Sequence, residues 1–316
     1  MPAQGSGHAT HLPSSDAKRY VATMGMAMNR KMDMGRFGVW WSGSWQVPDR
    51  PEVDAAGALE ALGYRTLWST GGFRPGLRPR FGQLLDSTRE VKVASGIVSV
   101  FASDPADVGA AVAELDARHP DRFMLGLGAS HSAVVADYTK PYSKVVAYLN
   151  ALDALETPVP AERRVLAALG TRMLELAAAR AAGAHPYFVP VEHTALARRV
   201  LGPEPLLAPE VAVVLERDPD KARALARSYA GGYLALPNYT QNLRRLGYDD
   251  ADVVNGGSDR LIDAVIAWGD EASVAERIRE HLGAGADHVC VQVIAGESGF
   301  PLRQYEVLAD ALGLGG

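Results

Sequence analysis

The stretch VKVASGIVSVF, residues 91–101, is apolar, rich in β-branched side chains and shorter than a typical free-standing helix. This pattern predicts a strand that is buried on both faces. A helix is expected directly after it, with Asp104 as the N-cap and Pro105 at the first helical position. Residues 122–127 predict a second buried strand. Strand, helix and strand in immediate succession form a βαβ unit, which requires a parallel sheet.

Six further segments have the pattern of buried strands, with helical patterns between them: residues 36–41, 65–69, 165–169, 184–189, 210–215 and 288–294. Together with the first two strands they make eight strand–helix pairs, the number found in a (β/α)8 barrel. We therefore predict an α/β fold, a (β/α)8 TIM barrel, with a helical insertion between strands seven and eight at residues 233–268. The helix after the fourth strand is expected over residues 136–155. A doubly wound open sheet is the alternative, but it rarely contains eight such regular units.

The composition of the 316-residue chain limits the classes of function. A net charge of −5 and the lack of a basic cluster argue against a nucleic-acid partner. No run of about 18 apolar residues occurs, so no membrane span is expected. The single cysteine, Cys290, excludes an intramolecular disulfide and fits a reducing cytoplasm. We therefore expect a small molecule as the ligand.

The first 34 residues differ from the rest of the chain. Small polar residues come first, and the methionine-rich segment VATMGMAMNRKMDM follows at residues 21–34. The segment lacks both apolar periodicity and the continuous apolar core that a signal peptide needs. We expect residues 1–34 to be a disordered leader, or the product of an upstream start, and residues 35–316 to form the folded domain.

The ends of the predicted strands carry the residues of chemical interest, because barrel chemistry collects at the carboxyl ends of the strands. The candidates there are Trp41-Ser42, Ser69-Thr70, Ser99-Val100, Gly128-Ala129-Ser130-His131, Gly170-Thr171-Arg172, residues 187–193 and Ala295-Gly296. Trp40 and Trp41 share the first strand, so alternation sends one side chain inward and the other outward.

Four segments carry a family resemblance: LEALGYRTLW (residues 59–68), VASGIVSV (93–100), DRFMLGLGAS (121–130) and residues 257–293. In this order and spacing they resemble the bacterial luciferase-like superfamily, and within it an actinobacterial branch of the oxidoreductases that use the deazaflavin coenzyme F420. The resemblance covers residue 35 to the C-terminus. It implies hydride transfer between coenzyme F420 and a small organic substrate, and we expect a cytoplasmic homodimer. The alternatives are an FMN-dependent monooxygenase and a barrel that has lost catalysis and only binds a flavin.

A deazaflavin needs a hydrophobic slot for its flat ring and an anion-binding end for its phosphate. Gly170, Thr171 and Arg172 stand before a predicted helix N-terminus, which offers free amides, a positive dipole end and a guanidinium. The residues assigned to the cofactor are Gly96, Ile97, Val98, Ser99, Gly128, Ala129, Ser130, Gly170, Thr171, Arg172 and Met173. The resemblance also implies a non-prolyl cis peptide between Gly96 and Ile97.

The chain departs from the pattern of its relatives at the residue that transfers a proton. Many relatives carry an acidic residue or a histidine after strand two, where this chain has Ser69-Thr70-Gly71-Gly72. Hydroxyl groups are poor proton donors near neutral pH unless a base assists them. His131 is the best remaining titratable group, because an imidazole moves protons near neutrality. The candidate catalytic residues are therefore Ser69, His131 and Tyr187, and we assign no metal site. Glu192 and His193 could line the substrate side, and His185 either does so or packs in the core.

Overall fold

The computed structural model describes residues 32–41, 50–70, 78–133, 135, 137–296 and 299–315. The predicted leader lies outside these residues up to position 31, as do Ser42, Gly71 and Gly72. The packed structure already includes Met34, one residue before the predicted start, since its side chain is buried and its carbonyl oxygen accepts a hydrogen bond from Thr66.

The strands of the described chain are β1 (Phe37–Trp41), β2 (Thr66–Ser69), β3 (Lys92–Ser95), β4 (Val98–Ser99), β5 (Phe123–Gly128), β6 (Arg164–Leu166), β7 (Gly183–Ala184), β8 (Leu206–Leu207), β9 (Glu210–Val214), β10 (Ile266–Trp268) and β11 (Val289–Val293). The helices are α1 (Arg50–Ala61), α2 (Arg78–Asp86), α3 (Pro105–Arg118), α4 (Pro141–Asp153), α5 (Thr171–Arg180), α6 (Val191–Leu201), α7 (Pro219–Leu234), α8 (Pro237–Arg245), α9 (Asp259–Val265), α10 (Glu271–Gly283) and α11 (Leu302–Leu312). The predicted N-cap at Asp104 is confirmed, and the carboxylates of Asp104, Asp218 and Asp270 all accept hydrogen bonds from first-turn amides.

The strands close into a barrel through parallel pairs. β1 pairs with β2 on one side and with β11 on the other. β8 and β9 follow each other along one stretch, in which β8 pairs with β7 and β9 pairs with β11. The amide of Asp287 also bonds the carbonyl of Leu207 at 2.9 Å, so the ring has no open edge there. The predicted (β/α)8 barrel is confirmed, and the open-sheet alternative is excluded.

The third barrel strand is not continuous, contrary to the prediction from residues 91–101. It divides into β3 and β4, and a cis peptide joins Gly96 to Ile97 between them, as the resemblance implied. β3 pairs with β2 and β5, whereas β4 continues along β5 alone. The predicted strands at 165–169 and 184–189 are also shorter than expected. Phe188, at φ +55°, and the prolines at 186 and 190 interrupt the second of them.

The helix predicted over residues 136–155 begins later, at Pro141. Lys140 takes a left-handed conformation, at φ +47°. A residue that precedes proline is disfavoured in the helical region, and proline itself suits the first helical position. The proline was therefore the start signal, which apolar spacing alone did not reveal.

The insertion between the seventh and eighth barrel strands is not wholly helical. After α8 and α9 it contains β10, which pairs in parallel with β9, Ile266 opposite Ala212. The helical pattern of residues 259–265 runs directly into β10, so periodicity could not mark the change. Only the start of β9 bonds to the segment that follows β7. Beyond that point β10 pairs with the same side of β9 and so extends the sheet.

The core has two layers. The barrel interior contains Trp40, Trp68, Met124, Val165 and Cys290 among its buried side chains. A larger cluster fills the space between strands and helices. The predicted alternation of the tryptophans is confirmed: Trp40 faces the interior, while Trp41 packs on Phe300 with ring centroids 4.2 Å apart.

Candidate active site

A cleft of about 880 Å³ opens at the carboxyl ends of the barrel strands. It is bounded by β1, by the turns after β2 to β7, and by α7 and α8 of the insertion. The predicted site residues that line it are Gly96, Ile97, Ser99, Ala129, Ser130, His131, Gly170, Thr171, Arg172, Met173 and Tyr187. Closure of the barrel thus brings the ends of four barrel strands to one cavity.

Three of the residues assigned to catalysis or to the cofactor do not line the cleft, and neither do Glu192 and His193. Val98 is fully buried in the core. Gly128 leaves room for the side chain of Ile97, because a Cβ atom on Gly128 would lie 2.8 Å from Ile97 Cδ1. Ser69 is buried, and its hydroxyl donates to the carbonyl of Thr70 at 3.3 Å. At the end of β2 it is Thr70 that reaches the cleft.

The floor of the cleft is built around Gly96. A Cβ atom at this position would lie 2.8 Å from Trp40 Nε1 and 3.6 Å from His185 Nε2. Both nitrogens are buried and have no hydrogen-bond partner in the described chain. The missing side chain of Gly96 therefore leaves an indole donor and an imidazole nitrogen facing the same small space.

The protonation of His185 follows from its contacts. Its Nδ1 lies 2.7 Å from the carbonyl oxygen of Ala208, which can only accept, so the proton is on Nδ1 and Nε2 carries the lone pair. The ring stacks on Trp68 with centroids 4.1 Å apart. Burial lowers the pKa of His185 to about 4, so the ring is neutral at pH 7 and Nε2 is a hydrogen-bond acceptor.

One end of the cleft is suited to an anion. Helix α5 begins there with Gly170 as its N-cap, and no side chain caps its amides. The Cζ atom of Arg172 lies 4.3 Å from the centre of the Tyr142 ring. Arg245 Nη2 lies 3.8 Å from the position that a Cβ atom on Gly170 would occupy. Arg245 Nη2 also donates to Asn242 Oδ1 at 3.2 Å, and no ion pair with a carboxylate involves either arginine within the described part of the chain. Free amides, a helix dipole and two guanidinium groups without a carboxylate partner favour a phosphate or carboxylate at this end.

His131 approaches the cleft from the turn after β5 and is half-buried. Its Nδ1 donates to Asn238 Oδ1 at 3.1 Å, and its ring lies 5.4 Å from that of Tyr239. Burial lowers the pKa of His131, although the hydrogen bond to Asn238 opposes the shift. The neutral ring therefore presents a basic Nε2, which can accept a proton.

Several residues of the cleft were missed in the sequence. Tyr233, Asn238, Tyr239 and Arg245 come from α7 and α8, in the insertion. The insertion was predicted without any part in the site. The sequence did contain a signal of a ligand site, since three tyrosines occur close together at positions 229, 233 and 239. Aromatic side chains with a polar end are typical of ligand sites.

The chain belongs to the luciferase-like monooxygenase family, whose family model matches residues 39–288. No curated protein sequence matches the chain. Solved structures share the fold at low identity. An F420-dependent secondary alcohol dehydrogenase, in complex with an F420–acetone adduct, has a TM-score of 0.66 at 16% identity, over 88% of this chain and 98% of that one.

Two further structures show that the fold occurs with different cofactors. A coenzyme F420-dependent tetrahydromethanopterin reductase from Methanopyrus kandleri has a TM-score of 0.64 at 16% identity, over 88% of this chain and 98% of that one. The oxygenating constituent of 3,6-diketocamphane monooxygenase from Pseudomonas putida, in complex with FMN, has a TM-score of 0.61 at 14% identity, over 90% and 98%.

The described residues contain no cluster of three or more histidine, cysteine, aspartate or glutamate side chains placed to hold a metal ion. No helix in the ranges given above is long and apolar enough to cross a membrane.

Proposed function

We propose that this protein is an oxidoreductase that transfers a hydride between coenzyme F420 and a small organic substrate. The observation that carries the proposal is the uncapped start of α5, with Arg172 and Arg245 beside it, at one end of a mainly apolar cleft. A deazaflavin has the matching parts, a flat ring and an anionic tail. Two of the structural relatives are F420-dependent. The expected small-molecule substrate, homodimer and cytoplasmic location belong to this proposal.

The residues present fit such a cofactor. Trp40 Nε1, Thr70 Oγ1 and His185 Nε2 are buried polar atoms of cleft residues, and none has a partner in the described chain. Leaving a buried polar group unpaired costs roughly 1–3 kcal/mol. The polar edge of a ring or substrate would supply the missing partners. Ile97 and Ala129 offer apolar walls beside these atoms.

The cofactor supplies the hydride chemistry, and the protein supplies binding, orientation and proton transfer. The first-turn amides of α5, with Arg172 and Arg245, would hold the anionic tail. The residues around Gly96 would hold the ring and exclude water from it. His131 would accept a proton at Nε2, since its Nδ1 proton is held by Asn238.

An FMN-dependent monooxygenase is the second candidate, because one structural relative binds FMN on the same fold. Titration of the purified protein separately with coenzyme F420 and with FMN, followed by absorbance and fluorescence, distinguishes the two. We expect saturable binding of coenzyme F420 at a lower concentration than FMN. A substrate panel is then followed by the change in deazaflavin absorbance. Tighter binding of FMN would favour the monooxygenase, and binding of neither would overturn both candidates.

A further inference from the structure

A network of phenol groups lies directly below the cleft. The hydroxyl of Tyr187 is 2.8 Å from that of Tyr233 and 2.9 Å from that of Tyr229. It also donates to Gln292 Oε1 at 2.7 Å. Tyr187 and Tyr233 line the cleft, whereas Tyr229 does not, so the network connects the cavity with the barrel interior.

The network continues to a buried carboxyl group, that of Glu210. The hydroxyl of Tyr229 lies 3.3 Å from Glu210 Oε1, and the amide of Phe188 donates to Oε2 at 3.1 Å. The side chain of Glu210 is 1% exposed. It pairs with no lysine, arginine or histidine in the part of the chain that the structure describes.

The surroundings of Glu210 favour its protonated form. The titratable groups that face it are five phenols and one thiol: those of Tyr187, Tyr229, Tyr233, Tyr239 and Tyr305, and that of Cys290, its register partner on β11. All are neutral at pH 7. Burial raises the pKa of Glu210 to about 8, and the bonds from Phe188 and Tyr229 oppose that shift. A buried carboxyl group therefore holds a proton here near neutral pH.

The cleft needs such a proton source, because His131 cannot serve as one. A neutral imidazole whose proton is bonded to Asn238 presents only a basic nitrogen to the cleft. Reduction of a polar double bond needs a proton as well as a hydride. Among the cleft residues that the structure describes, Tyr187 carries a phenol that is connected to Glu210 through Tyr229.

We propose that Glu210 stores a proton and that Tyr229, Tyr187 and Tyr233 connect it with the cleft, where the network donates this proton during hydride transfer. This inference rests on the proposed function, since it concerns the proton that accompanies the hydride. Glu210 acts through the tyrosines and touches no ligand itself. It is a proton-storing and positioning residue, and the phenols of Tyr187 and Tyr233 are the groups that meet the substrate.

The step balances as follows for a substrate with a polar double bond. The π bond breaks, one carbon gains a C–H bond from the hydride of the reduced deazaflavin, and the other atom takes a proton from the hydroxyl of Tyr233 or Tyr187. Glu210 then gives its proton to the oxygen of Tyr229, which donates its own proton to Tyr187. Where Tyr233 is the donor, the proton of Tyr187 turns from Gln292 Oε1 to Tyr233, so that the cleft hydroxyl is restored and Glu210 is left as a carboxylate. His131 would accept at Nε2 the proton that the reduced cofactor loses together with its hydride, and water would take that proton from His131. Glu210 regains a proton from water through the same hydroxyls.

The storage of the proton is tested on the protein without cofactor. The infrared difference spectrum between wild type and Glu210→Gln at pH 7 should contain the carbonyl band of a protonated carboxyl group.

The pH dependence of the unfolding constant is a second test of the stored proton. Between pH 4.5 and pH 8 the folded wild type binds one proton more than the unfolded chain at this position, so its stability falls as the pH rises. Relative to Glu210→Gln, its unfolding constant should rise up to tenfold per pH unit in this window, about 1.4 kcal/mol. A carboxylate band at pH 7 would overturn the proposal.

The path to the cleft is tested by the pH profile of turnover. Tyr229→Phe removes the link to Glu210 and should slow turnover by about tenfold to a hundredfold. The pH profile of the variant should lack the alkaline limb that the wild type has near pH 8. Cofactor affinity should change little. The matched control is Tyr148→Phe, a buried phenol on α4 that does not line the cleft. An alkaline limb unchanged in Tyr229→Phe would overturn the path. Failure to bind coenzyme F420 would instead overturn the proposed function, and the infrared band would still decide whether Glu210 stores a proton.

Discussion

The indole Nε1 of Trp40 lies 2.8 Å from the point that a Cβ atom on Gly96 would occupy. A methyl carbon cannot lie that close to a nitrogen atom without a shift of the indole or of the backbone. The space beside Gly96 is therefore kept free by the lack of a side chain, and it faces the cleft.

Substitution Gly96→Ala is expected to fill this space. Overpacking a dense interior costs roughly 1–3 kcal/mol, and the displaced indole should also weaken cofactor binding. The matched control is Gly57→Ala in α1, where the nearest contact of a Cβ atom would be 3.5 Å, an ordinary distance. That control should be neutral or stabilising, by up to about 1 kcal/mol. Urea unfolding and cofactor titration of both variants check the prediction; equal stability of the two would contradict it.

Removal of the Arg172 guanidinium is expected to weaken binding of coenzyme F420. Loss of a charge-assisted contact to phosphate costs roughly 1.5–3 kcal/mol, and the effect should shrink as salt screens it. Arg172→Ala is compared with Arg199→Ala, an exposed arginine on α6 outside the cleft. Dissociation constants at low and high salt provide the measurement. If both variants bind like the wild type, Arg172 is not part of the tail site.

Turnover is expected to depend on His131. The variant His131→Ala should be slower by about a hundredfold, because it lacks the basic nitrogen that faces the cleft, whereas cofactor affinity should barely change. Since burial lowers the pKa of His131, the acid limb of the wild-type profile should lie below the ordinary histidine value of 6.5. A steady-state pH profile with a reactive substrate gives this limb. An unchanged rate in the variant would make His131 a loop residue without a role in proton transfer.

Acid should destabilise the fold through three buried histidines. Burial lowers the pKa to about 4 for His185 and His288 and to about 3 for His281. Below pH 6.5 the unfolded chain takes up protons at these positions and the folded chain does not, so stability is lost as the pH falls from 6.5 towards 4. The slope is about 1.4 kcal/mol per pH unit for each histidine.

The variant His281→Gln tests this slope away from the cleft. His281 packs between α10 and α6, where its Nδ1 meets the hydroxyl of Thr194 at 2.8 Å. Unfolding curves from pH 7 to pH 4.5 should show a shallower loss in the variant than in the wild type. Parallel slopes would mean that His281 titrates normally in the folded protein.

Much of the fold follows from local patterns in the sequence. Apolar runs of strand length, helical spacing and the caps at Asp104, Asp218 and Asp270 record interactions between residues that are close in the chain. They predict the strand–helix repeat, and the repeat predicts both the parallel barrel and the edge where the cleft lies. The cis peptide in the third strand came from the resemblance, whereas the division of that strand, the start of α4 and the presence of β10 did not follow from apolar spacing.

The content of the site was decided by the tertiary structure. Trp40, Gly96 and His185 meet because the barrel closes, and the sequence alone left His185 between a packing and a functional role. Glu210, Tyr229 and Tyr187 join through contacts between β9, α7 and the loop after β7. A glutamate at the head of the apolar strand EVAVV was a visible signal, since a buried charge is rare. Its meaning depended on its partners, because the energy of a buried polar group is set by long-range neighbours, and those neighbours are brought together only by sheet register and barrel closure.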